Sequence, residues 1–293
     1  MTQQTILITG GTGATGGHAI EALRQMPVNI RAMLRKDDER AAALRTQGVE
    51  TVVGDLLEID DVRAAMDGVS SAYFLYPLLP GLITATAYFA QAAQEAGVKA
   101  IVNMSQISAR RDSASHQARD HWMSERVFDW SGVPVTHLRP TFFAEWLIRG
   151  AQMQTIARDN MFRLPFGTGR HAPIAAQDQG RVIAAILADP APHAGKTYPL
   201  CGPVEMDYHG VAAALSEELG RTIVYEPMEV EAYRAQLQAR GMPEQTIQHL
   251  CAVAFDYRDG VFEGTDRIIE SITGIPPMTV QAFAEANRTA LGG

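Results

Sequence analysis

Six short, almost wholly apolar runs recur between Thr5 and Leu138, and a stretch long enough for a helix separates each from the next. They occupy residues 5–9, 28–34, 49–53, 72–76, 100–104 and 133–138. Helical spacing fills the intervals at 14–26, 37–47, 59–66, 83–96 and 113–130, and Gly48, Gly68, Gly97 and the pair Ser131-Gly132 close four of them. A strand that is apolar along its whole length has both faces buried. Repeated strand-helix units of this kind predict a parallel sheet covered by helices on both sides and joined by right-handed crossovers. After about Phe142 the rhythm loosens. Helical patterns at 143–156, 177–188, 208–219, 230–240, 244–257 and 280–291 alternate with short extended pieces at 172–176, 197–200 and 222–226. The expected fold class is α/β, a doubly wound parallel sheet with a smaller, mostly helical C-terminal lobe. The expected domains are 1–142 and 143–293, with part of the second returning to the sheet.

Composition removes several alternatives. Of 293 residues 20% are charged and 46% hydrophobic, which favours a packed core over disorder. Two cysteines, Cys201 and Cys251, cannot build a disulfide framework or a cysteine zinc site, and none of the eight histidines forms a His-x-x-x-His pair, so no metal is expected. A net charge of −8 opposes direct binding of nucleic acid, whose nonspecific component is electrostatic. No apolar run approaches about 20 residues, so no membrane span is expected. The chain begins Met-Thr-Gln-Gln without a basic n-region, and a cytoplasmic location is the expectation.

The stretch Thr9-Gly10-Gly11-Thr12-Gly13-Ala14-Thr15-Gly16-Gly17 joins the first strand to the first helix. Glycine permits the sharp turn and leaves room for a pyrophosphate to approach the backbone, and the free N–H groups at the helix start then bind the anion. Five glycines in eight residues would otherwise only weaken a helix start. Gly10, Thr12, Gly13, Ala14, Thr15 and Gly16 are therefore candidate cofactor ligands. In such folds an acid about 20 residues further on holds the ribose 2′-hydroxyl of NAD, whereas an arginine accommodates the 2′-phosphate of NADP. Arg35 stands 19 residues past Gly16 and Lys36 follows it, while Asp37 and Asp38 read as the next helix's N-cap. NADPH is expected in preference to NADH. After the third strand come Gly54-Asp55-Leu56. Asp55 reads either as an acceptor for an adenine amino group or as a turn residue.

These features resemble the atypical short-chain dehydrogenases/reductases, and more narrowly their NmrA-like branch. The resemblance rests on Thr9-Gly-x-Thr-Gly-x-x-Gly16, Arg35, Gly54-Asp-Leu, Lys99-Ala-Ile-Val-Asn-Met-Ser105, His121-x-x-x-Glu125 and Ser131-Gly-Val-Pro-Val-Thr-His-Leu-Arg-Pro140-Thr-Phe-Phe143. Gly167-Thr-Gly-Arg170 and His193-Ala-Gly-Lys-Thr-Tyr198 extend it over most of the chain. It implies a Rossmann-like sheet that binds NAD(P), with the C-terminal lobe covering the nicotinamide. Members reduce quinones, dyes or other small conjugated molecules, or act as redox-sensing regulators without catalysis, and a homodimer is among the assemblies the family allows.

The wider superfamily relies on a Tyr-x-x-x-Lys pair, with tyrosine as general acid. Here the only lysines are Lys36, Lys99 and Lys196, preceded at four residues by Ala32, Glu95 and Pro192. The best-aligned positions are Trp122 and Arg126; arginine stays protonated and can still hold ribose hydroxyls. Ser105, at the end of the fifth strand, is a candidate to hydrogen-bond a carbonyl, with Ser108 as second choice. His121 is a candidate proton donor, although a surface or helix-packing histidine is the favoured reading of that position. The resemblance places Pro140, Thr141, Phe142 and Phe143 alongside the nicotinamide and Tyr76 beside the cofactor. Pro77, Leu78, Trp146, Phe166 and His171 are candidates to line a pocket for a small apolar or aromatic substrate. The expected function is an NADPH-dependent reductase of a quinone-like or conjugated acceptor. The alternative is a non-catalytic NADP(H) sensor acting through a regulatory protein partner. A nucleotide-sugar epimerase ranks last, since it needs the absent tyrosine.

Overall fold

The computed structural model describes residues 3–293; Met1 and Thr2, on which the expectation about the N-terminus partly rests, lie outside the described residues. In chain order the first half comprises β1 (Thr5–Thr9), α1 (Ala14–Leu23), β2 (Asn29–Leu34), α2 (Glu39–Thr46), β3 (Glu50–Val53), α3 (Ile59–Met66), β4 (Ser71–Phe74), α4 (Leu82–Glu95), β5 (Ala100–Met104), α5 (His116–Trp130) and β6 (Val135–Pro140). There follow α6 (Gly150–Asp159), β7 (Met161–Leu164), β8 (Arg170–His171), α7 (Ala176–Ala188), β9 (Thr197–Leu200), β10 (Met206–Asp207), α8 (Tyr208–Leu219), β11 (Val224–Pro227), α9 (Val230–Ala239), α10 (Glu244–Arg258), α11 (Ile268–Thr273) and α12 (Val280–Ala286).

The chain divides into two compact units. The first contains the chain up to Arg111, Arg119–Arg139 and Gln179–Tyr198; the second contains Asp112–Ala118, Pro140–Asp178 and Pro199–Gly293.

The seven-stranded sheet has the order β3-β2-β1-β4-β5-β6-β9. Pairing is parallel from β3 to β6. The last strand joins through the Gly195 N–H to the Val135 carbonyl and the His137 N–H to the Lys196 carbonyl. The chain winds outward from β1 through β2 to β3, then returns to β4 on the other side of β1. The carboxyl ends of β1 and β4 thus flank the reversal point, where open α/β sheets form their binding crevice. One face of the sheet carries a core of Leu7, Val62, Met66, Phe74, Phe89 and Phe128. Its three phenyl rings meet at centroid distances of 4.9, 5.1 and 6.3 Å, the tilted and edge-on geometry that aromatic quadrupoles favour.

The second unit has two small sheets: β7 pairs with β11 in parallel and β8 with β10 antiparallel. Within it α8 packs on α12 and α9 on α10. Helix 143–156 does not form as one piece. A 3-10 turn spans Ala144–Ile148, Arg149 is extended, and α6 starts at Gly150, whose φ of +58° an L side chain rarely adopts. The extended piece expected at 172–176 is displaced, its pairing carried by Arg170–His171 and by a single bridge from Ile174 to Phe143. The last helix ends at Ala286 rather than Leu291.

Candidate functional site

The crevice begins with Thr9. Its Oγ1 accepts from the Leu75 amide at 2.8 Å and donates toward the Tyr73 carbonyl at 3.1 Å, tying the end of β1 to the end of β4. The chain then turns at Gly10, whose φ is +65° and where a Cβ would meet Leu75 Cδ2 at 2.8 Å. A Cβ on Gly16 would run into the Gly10 carbonyl group and stand 3.1 Å from Gly11 Cα, so the helix start is pressed against the loop that feeds it. The Gly13 N–H donates to the Gly10 carbonyl at 2.9 Å. Gly13 is the N-cap of α1; it supplies no side-chain cap, and the first turn holds no acid. Most helices satisfy or neutralise that end. Here the amides of Ala14, Thr15 and Gly16, which have no partner within a helix, and the positive end of the dipole are left for an anion. Thr15 contributes only backbone, because its buried hydroxyl is 3.2 Å from the phenol oxygen of Tyr73.

In front of this loop lies a cleft of about 570 Å³ within the first unit. Gly10, Thr12 and Gly13 line one end; Met33, Leu56, Leu75 and Pro77 form apolar walls; Arg35, Lys36, Asp38 and Arg40 line the other end. Of the residues singled out from the sequence, the lining therefore includes Gly10, Thr12, Gly13, Arg35, Lys36, Leu56 and Pro77. Asp55 has its amide on Asp61 Oδ2 at 2.9 Å, accepts the Leu57 amide on Oδ1 at 3.0 Å and pairs through Oδ2 with Arg35 at 3.3 Å. Both of its carboxylate oxygens thus have protein partners. Tyr76 packs on the core and donates its hydroxyl to the Pro80 carbonyl at 2.8 Å, which folds the 76–80 turn onto itself. Burial, reinforced by the Asp55 charge, raises its pKa.

A polar network runs behind β5 and β6. Ser105 donates to Glu125 Oε1 at 2.6 Å, and Arg139 grips the same carboxylate through Nε at 2.8 Å and Nη2 at 2.6 Å. That hydrogen bond raises the Arg139 pKa. Arg126 reaches Asp129 at 2.9 Å and Glu125 at 3.6 Å. Asp129 in turn meets His137 Nε2 at 3.0 Å, while Asn103 holds His137 Nδ1 at 3.0 Å. Burial lowers the His137 pKa. A carboxylate only accepts, so the Ser105 proton points at Glu125 and its lone pairs remain for another donor. His121 is buried on the same helix.

The sequence model of the NmrA-like family matches residues 2–283. The chain belongs to the NmrA-like family. It is 33% identical over 293 residues to an NAD(P)H azoreductase of Xenophilus azovorans, covering 98% of this chain and 99% of that protein. The NADPH-dependent quinone oxidoreductase of Escherichia coli, solved with NADPH, superposes with a TM-score of 0.86 at 25% identity, covering 97% of this chain and 99% of that one. A Citrobacter triphenylmethane reductase solved with NADP(H) gives 0.83 at 25% identity, with coverages of 97% and 99%.

In the second unit of this NmrA-like protein, Phe142 enters an aromatic cluster, 4.9 Å from Phe166 and from Phe262 and 5.5 Å from Tyr257. Phe166 and His171 are buried in this cluster, and His171 Nδ1 makes a short hydrogen bond with the Tyr257 hydroxyl. Burial drives the His171 pKa down to about 3, so the ring is neutral at physiological pH. Trp146 is exposed, Pro140 is buried, and Phe143 is joined to Ile174 by a strand bridge. Thr141 is also buried, with an Oγ1 that has no hydrogen-bond partner among the described residues. Gln106, next to Ser105 in the first unit, likewise has a buried Nε2 without a partner.

Met33, Leu75, Asp38 and Arg40 join the cleft without having been singled out as ligands. Asp38 does cap α2, accepting from the Arg40 and Ala41 amides at 3.0 and 3.3 Å, and that role conceals the other. The available signal was a second arginine just past the strand end. Among the described residues no group of three or more His, Cys, Asp or Glu side chains could hold a metal, and no helix is long and apolar enough to cross a membrane.

Proposed function

We propose that this protein binds NADP(H) in the cleft of the first unit and uses it to reduce a small apolar or aromatic acceptor of the quinone or dye class. The observation that carries the reading is the uncapped start of α1, opened by glycines where a Cβ would clash and faced at the far end of one cleft by Arg35, Lys36 and Arg40. The amides of Ala14, Thr15 and Gly16 would hold the pyrophosphate, the basic rim the 2′-phosphate, and the apolar walls the adenine. The named activities of the azoreductase, the quinone oxidoreductase and the triphenylmethane reductase support the acceptor class.

Bound NADPH supplies two electrons and one of the two protons that turn a quinone into its hydroquinone; the other proton comes from solvent. This chain's residues then have positioning rather than acid catalysis as their task. Ser105, its own proton committed to Glu125, accepts from a ligand donor, and Gln106 Nε2 donates. The dinucleotide would lie on the first unit, whose residues line the cleft. Incubation with NADPH and a panel of quinones, azo dyes and triphenylmethane dyes tests the reading. Consumption of NADPH above the protein-free rate is expected with at least one acceptor; none across the panel refutes the reductase.

The absence of a Tyr-x-x-x-Lys pair favours one other reading, a redox sensor that binds a protein partner. It requires unequal affinities for NADPH and NADP⁺, because a ligand that binds two states equally shifts neither. Equal dissociation constants for the two forms would eliminate it.

A further inference from the structure

The basic end of the cleft also contains an acid. Asp38 is the one carboxylate among the described residues lining it, beside the cations Arg35, Lys36 and Arg40. A carboxylate beyond the end of the second strand is the group that NAD-type sites use to accept from the ribose 2′-hydroxyl. It would repel a 2′-phosphate. In this chain both of its oxygens are committed. Oδ1 caps α2, while Oδ2 accepts from Arg40 Nε at 3.1 Å and Nη2 at 2.6 Å. The guanidinium meets the acid with its planar edge, so the pair is held in one geometry and its charge is cancelled locally. Three of the five guanidinium N–H groups remain for a further acceptor.

We propose that Arg40 is a selectivity lock: by neutralising Asp38 it lets the cleft accept a 2′-phosphate, and its removal frees Asp38 to bind the 2′-hydroxyl of NADH. The inference rests on the NADP(H) reading of the cleft. It differs from a simple phosphate contact in one consequence. Loss of Arg40 must improve NADH binding as well as impair NADPH binding, and both changes must depend on the charge of residue 38. Arg35 has no such consequence, because its acid, Asp55, is not among the residues lining the cleft.

The test is direct titration of NADPH and NADH, by calorimetry, into wild type, Arg40→Ala, Asp38→Asn and the double variant. Asparagine retains the helix cap without the charge, and the Arg40 side chain is two-thirds exposed, so the fold is retained; melting curves check this. Arg40→Ala is expected to lower the NADPH-to-NADH affinity ratio by about tenfold, with NADH bound more tightly than by wild type. Adding Asp38→Asn should return NADH to wild-type affinity and recover part of the NADPH loss. An unchanged ratio overturns the proposal. So does a loss confined to NADPH, or an NADH gain that survives Asp38→Asn. If wild type binds neither nucleotide, the NADP(H) reading itself fails, an outcome distinct from tight binding with an unaltered ratio.

Discussion

Arg35 meets Asp55 through one contact of 3.3 Å, with the two side chains 70% and 36% exposed, whereas Arg139 meets Glu125 through two contacts of 2.8 and 2.6 Å, with the pair 27% and 0% exposed. The chemistry is identical and the setting is not. Water and salt screen the first pair, so breaking it costs little, and a phosphate can take the carboxylate's place. In the second the carboxylate is fully buried, and only Ser105 and the more distant Arg126, at 3.6 Å, remain beside it if Arg139 is lost. Exposure thus separates an arginine that can bind a ligand from one that shapes a site. It also gives the carboxylates different duties: Asp55 is an exchangeable partner, and Glu125 fixes the direction of the Ser105 proton.

The largest effect should come from the buried pair. Arg139→Leu leaves the buried Glu125 with only the longer Arg126 contact of 3.6 Å as a cation partner and is expected to cost about 3 kcal/mol of stability, measured by urea unfolding. Glu125→Gln in the same background removes the stranded charge and should recover part of that loss. A single substitution that costs no more than Arg35→Ala would remove the distinction between the two pairs.

Buried titration sharpens the same contrast in the second unit. His171 is held neutral by burial, its pKa near 3 against 6.5 for an open histidine, and His249, bonded at Nδ1 to the Ser115 hydroxyl at 2.8 Å, is lowered to about 4. A depressed histidine pKa means that the unfolded chain takes up a proton before the folded one does. Stability is therefore full above pH 6.5 and falls as pH drops, by about 1.4 kcal/mol per pH unit for each histidine, down to about pH 3 for His171 and about pH 4 for His249. Unfolding free energies at pH 7.5 and 5.5 should show this slope, and His171→Gln should lose one histidine's share of it whatever its own stability. An unaltered slope would mean that His171 is protonated in the folded state.

The legible part of the molecule follows from periodicity. β1, β5, β9, α3 and α8 have the bounds read from the chain, because apolar runs and 3.6-residue spacing are local signals. β7 escaped because its MFRL alternates buried and open positions over only four residues, and β8 and β10 because two residues carry no period. α11 is only six residues long. In the site, the glycine loop and Arg35 were readable because fixed spacing from a strand defines them. Arg40 was hidden by the capping role of its neighbour. The bond from Ser105 to Glu125 spans 20 residues and depends on how α5 lies over the ends of β5 and β6, which no spacing rule encodes.

Arg35→Ala should break the comparison from the other side. Stability is expected to change by less than about 1 kcal/mol, since an exposed pair is lost, while NADPH affinity falls about tenfold and NADH affinity stays within about twofold. The wild-type preference for NADPH should also weaken from low to high salt, as it does for exposed charges. An unchanged NADPH-to-NADH ratio would transfer the role to Lys36 and Arg40.

The smallest expected effect is the most discriminating for the idea of exchange. If Asp55 only occupies Arg35 until a phosphate arrives, Asp55→Asn removes a competitor, and NADPH should bind about twofold more tightly with no change for NADH. If Asp55 instead accepts from the adenine amino group, the same variant weakens both nucleotides alike, because both carry the same base. Asparagine can still accept the Leu57 amide, so the turn into α3 is retained in either case. Parallel calorimetric titrations of the two nucleotides decide between these outcomes. A common loss would make Asp55 an adenine ligand and leave Arg35 to bind phosphate without a counter-ion to displace.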